Sequence, residues 1–125
     1  MRALTVDSAL EAGGWDPRCA TVLEVRTGAD IGLALIDPNG DGSQLYLDTY
    51  TRAAEGDWVA SFSGSAGDEG EWWTVTAVAC WGHAEPGQAV EVEYLGDRVQ
   101  VRANAAGWWL FGAPPADDDT VPRRT

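Results

Sequence analysis

The chain has no lysine. Its eight basic residues are all arginines, they face 20 carboxylates, and the net charge is −12 at pH 7. Nucleic-acid binding draws its affinity from counterion release by basic side chains, so this balance argues against a nucleic-acid ligand. Attraction to anionic membranes fails for the same reason. No apolar run approaches the roughly 20 residues a membrane-spanning helix needs. The leading segment Met1-Arg2-Ala3-Leu4-Thr5-Val6-Asp7 lacks the apolar centre of a signal peptide and turns acidic early. A cytoplasmic location is therefore expected, with the two cysteines, Cys19 and Cys80, as reduced thiols. Enzyme signatures are also missing: there is no G-x-S-x-G, no P-loop, and no G-x-G-x-x-G ahead of a helix.

At 125 residues the chain suits one domain. Short runs rich in β-branched and aromatic residues recur every 10 to 15 positions, punctuated by Gly, Pro, Asp and Asn. That spacing predicts an all-β fold, an antiparallel β-sandwich or flattened barrel of seven or eight strands. The candidate strands are Ala20–Thr27, Asp30–Asp37, Gln44–Thr51, Asp57–Ser63, Trp72–Trp81, Gln88–Leu95, Arg98–Ala103 and Gly107–Gly112. Residues 30–37 are apolar on both faces, as in a strand covered on two sides. In Asp57–Ser63, Trp58, Ala60 and Phe62 are predicted to share one face. Thr5–Ala12 reads as a short N-terminal helix or arm, capped by Asp7 or Ser8 and stopped at Gly13-Gly14. The domain spans 1–113. The tail 114–125, rich in proline and aspartate, is predicted to stay disordered.

One hairpin yields a register. Gly96-Asp97 reads as a two-residue type II′ loop pairing Leu95 with Arg98. Tyr94, Val92, Val90, Val99, Val101 and Ala103 then line one face, and Glu91 opposes Arg102 on the other.

Three constellations could carry function. Asp37-Pro38-Asn39-Gly40-Asp41-Gly42-Ser43, followed by Asp48, places oxygens at Asp37, Asn39, Asp41, Ser43 and Asp48 with the spacing of a calcium loop. Over these 12 residues it resembles the calcium loop of EF-hand and dockerin-type modules. The surrounding segment is β-like, and Asp48 stands where the longer Glu is usual. A plain turn between two strands explains the same residues. Apart from this candidate calcium ion, no cofactor is expected.

The second is tryptophan. There are seven, four of them in the neighbouring pairs Trp72-Trp73 and Trp108-Trp109. Neighbours on a strand point to opposite faces, so one member of each pair must leave the core to meet another layer or a partner. Flat exposed rings suit a protein hot spot, a cation or a sugar. The third is Cys80-Trp81-Gly82-His83, a weak candidate for a zinc pair or a thiol–imidazole nucleophile.

Charge and aromatic surplus together favour a non-catalytic protein-interaction module. Its acidic surface would hold a basic protein through tryptophans, as an inhibitor or immunity-type protein does. Self-association as a homodimer would bury the same patch twice. A calcium-stabilised carbohydrate-binding sandwich and a small enzyme are the alternatives.

Overall fold

A computed structural model of the chain describes residues 3–28, 30–116 and 118–125. Met1 and Arg2 of the leading segment and Asp117 of the tail lie outside the described residues. Among the described residues the fold is all-β with one short N-terminal helix, and its antiparallel sheets form no closed barrel. In chain order the elements are α1 (Val6–Gly13), β1 (Thr21–Thr27), β2 (Ile31–Asp37), β3 (Leu45–Arg52), β4 (Trp58–Ala66), β5 (Gly70–Trp73), β6 (Val78–His83), β7 (Ala89–Tyr94), β8 (Asp97–Arg102), β9 (Trp108–Ala113) and β10 (Arg123–Arg124).

The strands form three stacked sheets. The first is the meander β1-β2-β3-β4, the middle sheet is β5-β6-β9, and the outer sheet is β10-β7-β8. Helix α1 covers the free face of the first sheet through Leu4, Ala9 and Leu10, which meet Ala34, Ile36, Tyr50 and Trp58. The opposite face, with Leu33, Leu35 and Leu47, packs on Ala79, Trp81 and Leu110 of the middle sheet. The far side of the middle sheet, with Val78, Cys80, Trp109 and Phe111, packs on Val90, Val92, Tyr94 and Val101. Strand β2 is buried along its whole length, as its two-sided apolar pattern predicts. Gly112 permits the closest approach between layers, since a Cβ there would lie 2.2 Å from Leu33.

Helix α1 starts one residue later than predicted and takes a different cap. Thr5 accepts from the Ser8 amide, and Ser8 Oγ accepts from the Thr5 amide in return, forming a capping box. Gly14, at φ 73°, ends the helix with its N–H on the last-turn carbonyls, and Trp15 N–H bonds Leu10 O.

Four other features differ from the sequence reading. The run Trp72–Trp81 is two strands, because the Thr74 hydroxyl accepts the amides of Thr76 and Ala77 and donates to Ala77 O, folding a tight turn without Gly or Pro. A bulge opposite Thr49 and Tyr50 leaves Ser61 unpaired, so Phe62 lies on the opposite face from Trp58 and Ala60. The tail is docked rather than loose: Pro122 is buried, Arg123 and Arg124 pair with Glu93 and Val92, and Thr125 bonds Glu91. Burial of the Pro122 ring and ladder pairing to β7 supply the contacts its composition conceals.

The β7–β8 hairpin turns one residue earlier than predicted. Its loop is Leu95-Gly96, with φ 53° and 82°, the paired positive values of a type I′ turn. The pairs are Tyr94 with Asp97, Val92 with Val99 and Val90 with Val101. Both partners shift together, so the valines keep the predicted face. Arg98 now meets Glu91 and Glu93 at 3.5 and 3.6 Å, while Arg102 reaches Gly87 O.

Leu95 is exposed and sits in left-handed backbone that disfavours a side chain with a Cβ. Leu95→Asn suits the first position of a type I′ turn and is expected to stabilise the chain by about 1 kcal/mol. Urea denaturation with an unchanged slope checks this.

Candidate functional site

The four predicted tryptophans do splay across their strands, but the stacked layers cover most of them. Trp108 and Trp109 lie on β9 in the middle sheet. Trp109 is buried against the outer sheet, with Arg124 over its ring at 6.0 Å. Trp108 packs against the first sheet and lies against His83, their ring centroids 3.8 Å apart and planes tilted by 42°. Trp72 fills the edge between the first two sheets, in edge contact with Phe62 and Trp81. Trp73 alone of the four keeps a large exposed area, 42 %.

Trp73 points to the outer-sheet side of β5, and on the first-sheet side other exposed apolar residues appear that the sequence reading missed. Val75, in the β5–β6 turn, is 80 % exposed, and on β4 Val59 and Phe62 are 49 % and 50 % exposed. A hydrogen bond of 2.7 Å between the Ser61 and Thr76 hydroxyls ties the turn bearing Val75 to the middle of β4. The Phe62–Trp72 contact ties β4 to β5. Strands β4 and β5 each end their own sheet, so this flank of the molecule is made of two neighbouring sheet edges. The sequence did carry a signal: Trp58–Gly67 holds no charged residue in a chain that is 22 % charged.

The five candidate calcium ligands do not converge. The Asp37 carboxylate accepts the amides of Gly40 and Gly42 at 3.0 and 2.9 Å, closing the turn on itself. Asp41 accepts the amide and hydroxyl of Ser43. Asn39 is exposed at the turn. Asp48 lies within β3, on the face turned to α1, whereas Asp37 belongs to the opposite face of the adjoining strand. Among the described residues no group of three or more His, Cys, Asp or Glu side chains is placed to hold a metal ion.

Asp48 is instead a buried anchor, 1 % exposed. Trp15 Nε1 donates to it at 2.7 Å, Tyr50 OH at 3.1 Å, and Ser63 Oγ also donates. The Trp15 bond joins the segment after α1 to the sheet. Gly13 makes room for it, because a Cβ there would press on Trp15 and on Asp48 Oδ2. Burial, and then the Asp48 charge, push the Tyr50 hydroxyl well above the ordinary phenol range, so it stays a donor.

Cys80 and His83 face opposite sides of β6, as their three-residue spacing on a strand implies. Burial chiefly, with a smaller contribution from Glu71, pushes the Cys80 thiol up to about 12. A thiol so shifted is not a nucleophile at neutral pH. Cys19 is exposed, 3.9 Å from an Asp16 oxygen, and neither cysteine is in a disulfide.

No family model, no curated protein and no solved structure matches the chain.

Three outcomes follow from this geometry. Asp48→Ala removes the acceptor shared by Trp15, Tyr50 and Ser63 and is expected to cost about 1–3 kcal/mol of stability by chemical denaturation. A thiol reagent at pH 8 is expected to modify Cys19 in the folded chain and Cys80 only after denaturation, counted by mass. Tyr50 and Cys80 are both raised in the folded state, so their neutral forms contribute stability that is complete below the ordinary values, 10.0 for Tyr50 and 9.0 for Cys80. The Cys80 part is lost as pH climbs from about 9 through its raised folded value near 12, the Tyr50 part from 10.0 upward, and urea midpoints at pH 8 and pH 11 measure the fall.

Proposed function

We propose that the protein is a non-catalytic interaction module that holds a basic protein partner along the β4–β5 flank, as an acidic inhibitor or immunity-type protein would. The observation that carries this reading is the exposure of Val59, Phe62 and Val75 where the Ser61–Thr76 bond joins β4 to the β5–β6 turn, in a chain with net charge −12. Exposed aromatic and aliphatic side chains rimmed by charge of one sign are the usual anatomy of a hot spot. The acidic rim steers a cationic partner and suppresses anionic ones.

The enzymatic alternative has little chemistry to draw on. The buried thiol, the histidine packed against Trp108 and the Asp48 carboxylate occupied by three donors share no site. In the calcium reading, Asp37 would have to give up two backbone amides to bind an ion. Melting temperatures in calcium and in EDTA are therefore expected to coincide, since a ligand that binds the native state must raise its stability.

Titration against a panel of arginine- and lysine-rich peptides tests the main reading. Binding is expected at low salt, with affinity falling steeply as ionic strength rises. Phe62→Ala and Val75→Ala are each expected to weaken it by about tenfold or more. A panel in which no basic peptide binds at low salt removes the proposal.

A further inference from the structure

Strand β4 has a partner on one side only. It closes the first sheet and, among the described residues, pairs with β3 and with no other strand. An open edge presents a row of unused N–H and C=O groups, and proteins usually blunt such edges with charge, proline or brevity. The other edges here are blunted or covered; β9, which ends the middle sheet, has no charge or proline but is buried or half-buried along its length. Strand β8 carries Asp97, Arg98 and Arg102, and β5 and β10 have four and two residues. Strand β1 carries Glu24 and Arg26, has a bulge, and is approached by Asn104, whose Nδ2 donates to Leu23 O at 2.7 Å. Strand β4 runs nine residues, Trp58–Ala66, with no charge and no proline, and Val59 to Ser63 are all exposed.

We propose that β4 is a docking edge that takes an extended peptide segment of the partner as a fifth strand, a segment apolar or neutral in its middle and basic at both ends. This rests on the interaction-module reading above and names its mode. The charge distribution selects the occupant. Glu55 and Asp57 stand before the strand and Asp68, Glu69 and Glu71 after it, so both ends are acidic; Arg52 at the end of β3 lies over the Trp58 ring at 4.1 Å. At roughly 3.3 Å per residue the two acidic ends are about 30 Å apart, the span of a nine-residue strand. A second copy of this chain fits poorly. Antiparallel pairing of two β4 strands would set Asp57 of each copy against Asp68 and Glu69 of the other, and like charges face to face oppose pairing. The Ser61 bulge puts Val59 and Phe62 on the same face, opposite Thr51 and Thr49, so the incoming strand meets both from that side. Main-chain bonds supply affinity in such strand addition, and the flanking side chains supply specificity.

The probe is a synthetic peptide of alternating valine and threonine with two arginines at each end. A second peptide of the same sequence is N-methylated at alternate residues, which removes backbone donors and keeps charge and side chains. The full chain is expected to bind the first peptide at low salt and the methylated one at least about tenfold more weakly. Hydrogen exchange is expected to show new protection in β4. Val59→Lys is expected to weaken binding by about tenfold, and Leu95→Lys, an equal change of charge on the β7–β8 turn, to leave it unchanged. Should Val59→Lys alter the far-UV spectrum, Val59→Thr replaces it, with a smaller loss expected.

Equal affinity for both peptides, or protection that appears elsewhere, overturns strand addition while leaving a basic partner in place. Failure of every basic peptide to bind overturns both readings. A concentration-dependent dimer that protects β4 without peptide assigns the edge to a second copy and overturns the basic segment.

Discussion

The middle sheet is covered on both faces, and most of the structure follows from that constraint. A sheet with one wet face can alternate apolar and polar residues, but β6 and β9 have no wet face to give. Their alternate positions are therefore apolar in both directions: Ala79, Trp81 and Leu110 toward the first sheet, Cys80, Trp109 and Phe111 toward the outer one. Small residues set the spacing where backbones come close, Gly112 above all. Both members of the Trp108-Trp109 pair are absorbed in this way, one by each neighbouring layer. The Trp72-Trp73 pair lies on the short edge strand of the same sheet, where the outer layer ends, so one indole remains in water.

Much of the local structure was legible from periodicity. The first four strands, the two-sided burial of β2 and the valine face of the β7–β8 hairpin all follow from which positions are apolar. The hairpin turn was misplaced because Gly96 fits either a type II′ turn as first loop residue or a type I′ turn as second. The two registers differ by two positions, and a pattern of period two cannot separate them. Glycine misled in another way. Gly64, Gly70 and Gly82 look like turn punctuation, yet they lie within strands and leave room for the rings of Trp72, Trp81 and Trp109. Whether a glycine bends the chain or clears space for an indole depends on a contact distant in sequence.

The candidate site was legible only in part. Charge and tryptophan surplus pointed to a recognition surface, but the number of layers decided which tryptophans could reach it. Phe62 was assigned to the Trp58 face because strict alternation puts it there. One extra residue at Ser61 reverses that assignment and carries Phe62 to the flank beside Trp72. A bulge leaves little trace in a single sequence, since it changes the pairing and not the residue types. The 37–48 loop shows the converse case. Asp, Asn and Gly at these spacings satisfy a metal-ligand pattern and a turn equally well, and the difference lies in where the carboxylate oxygens find hydrogen.

The indole of Trp15 has a consequence for how the molecule comes apart. A terminal helix of eight residues would ordinarily be the first element to detach, as a latch lifts from a door. Here its departure would pull Trp15 from Asp48 and the Ala9 carbonyl from Tyr50, baring an anion that only two hydroxyls still serve. Lifting the arm and dissolving the sheet beneath it are thus joined into one cooperative event. Partial opening at this end should be scarce, and the chain is held shut from the side opposite its exposed apolar flank.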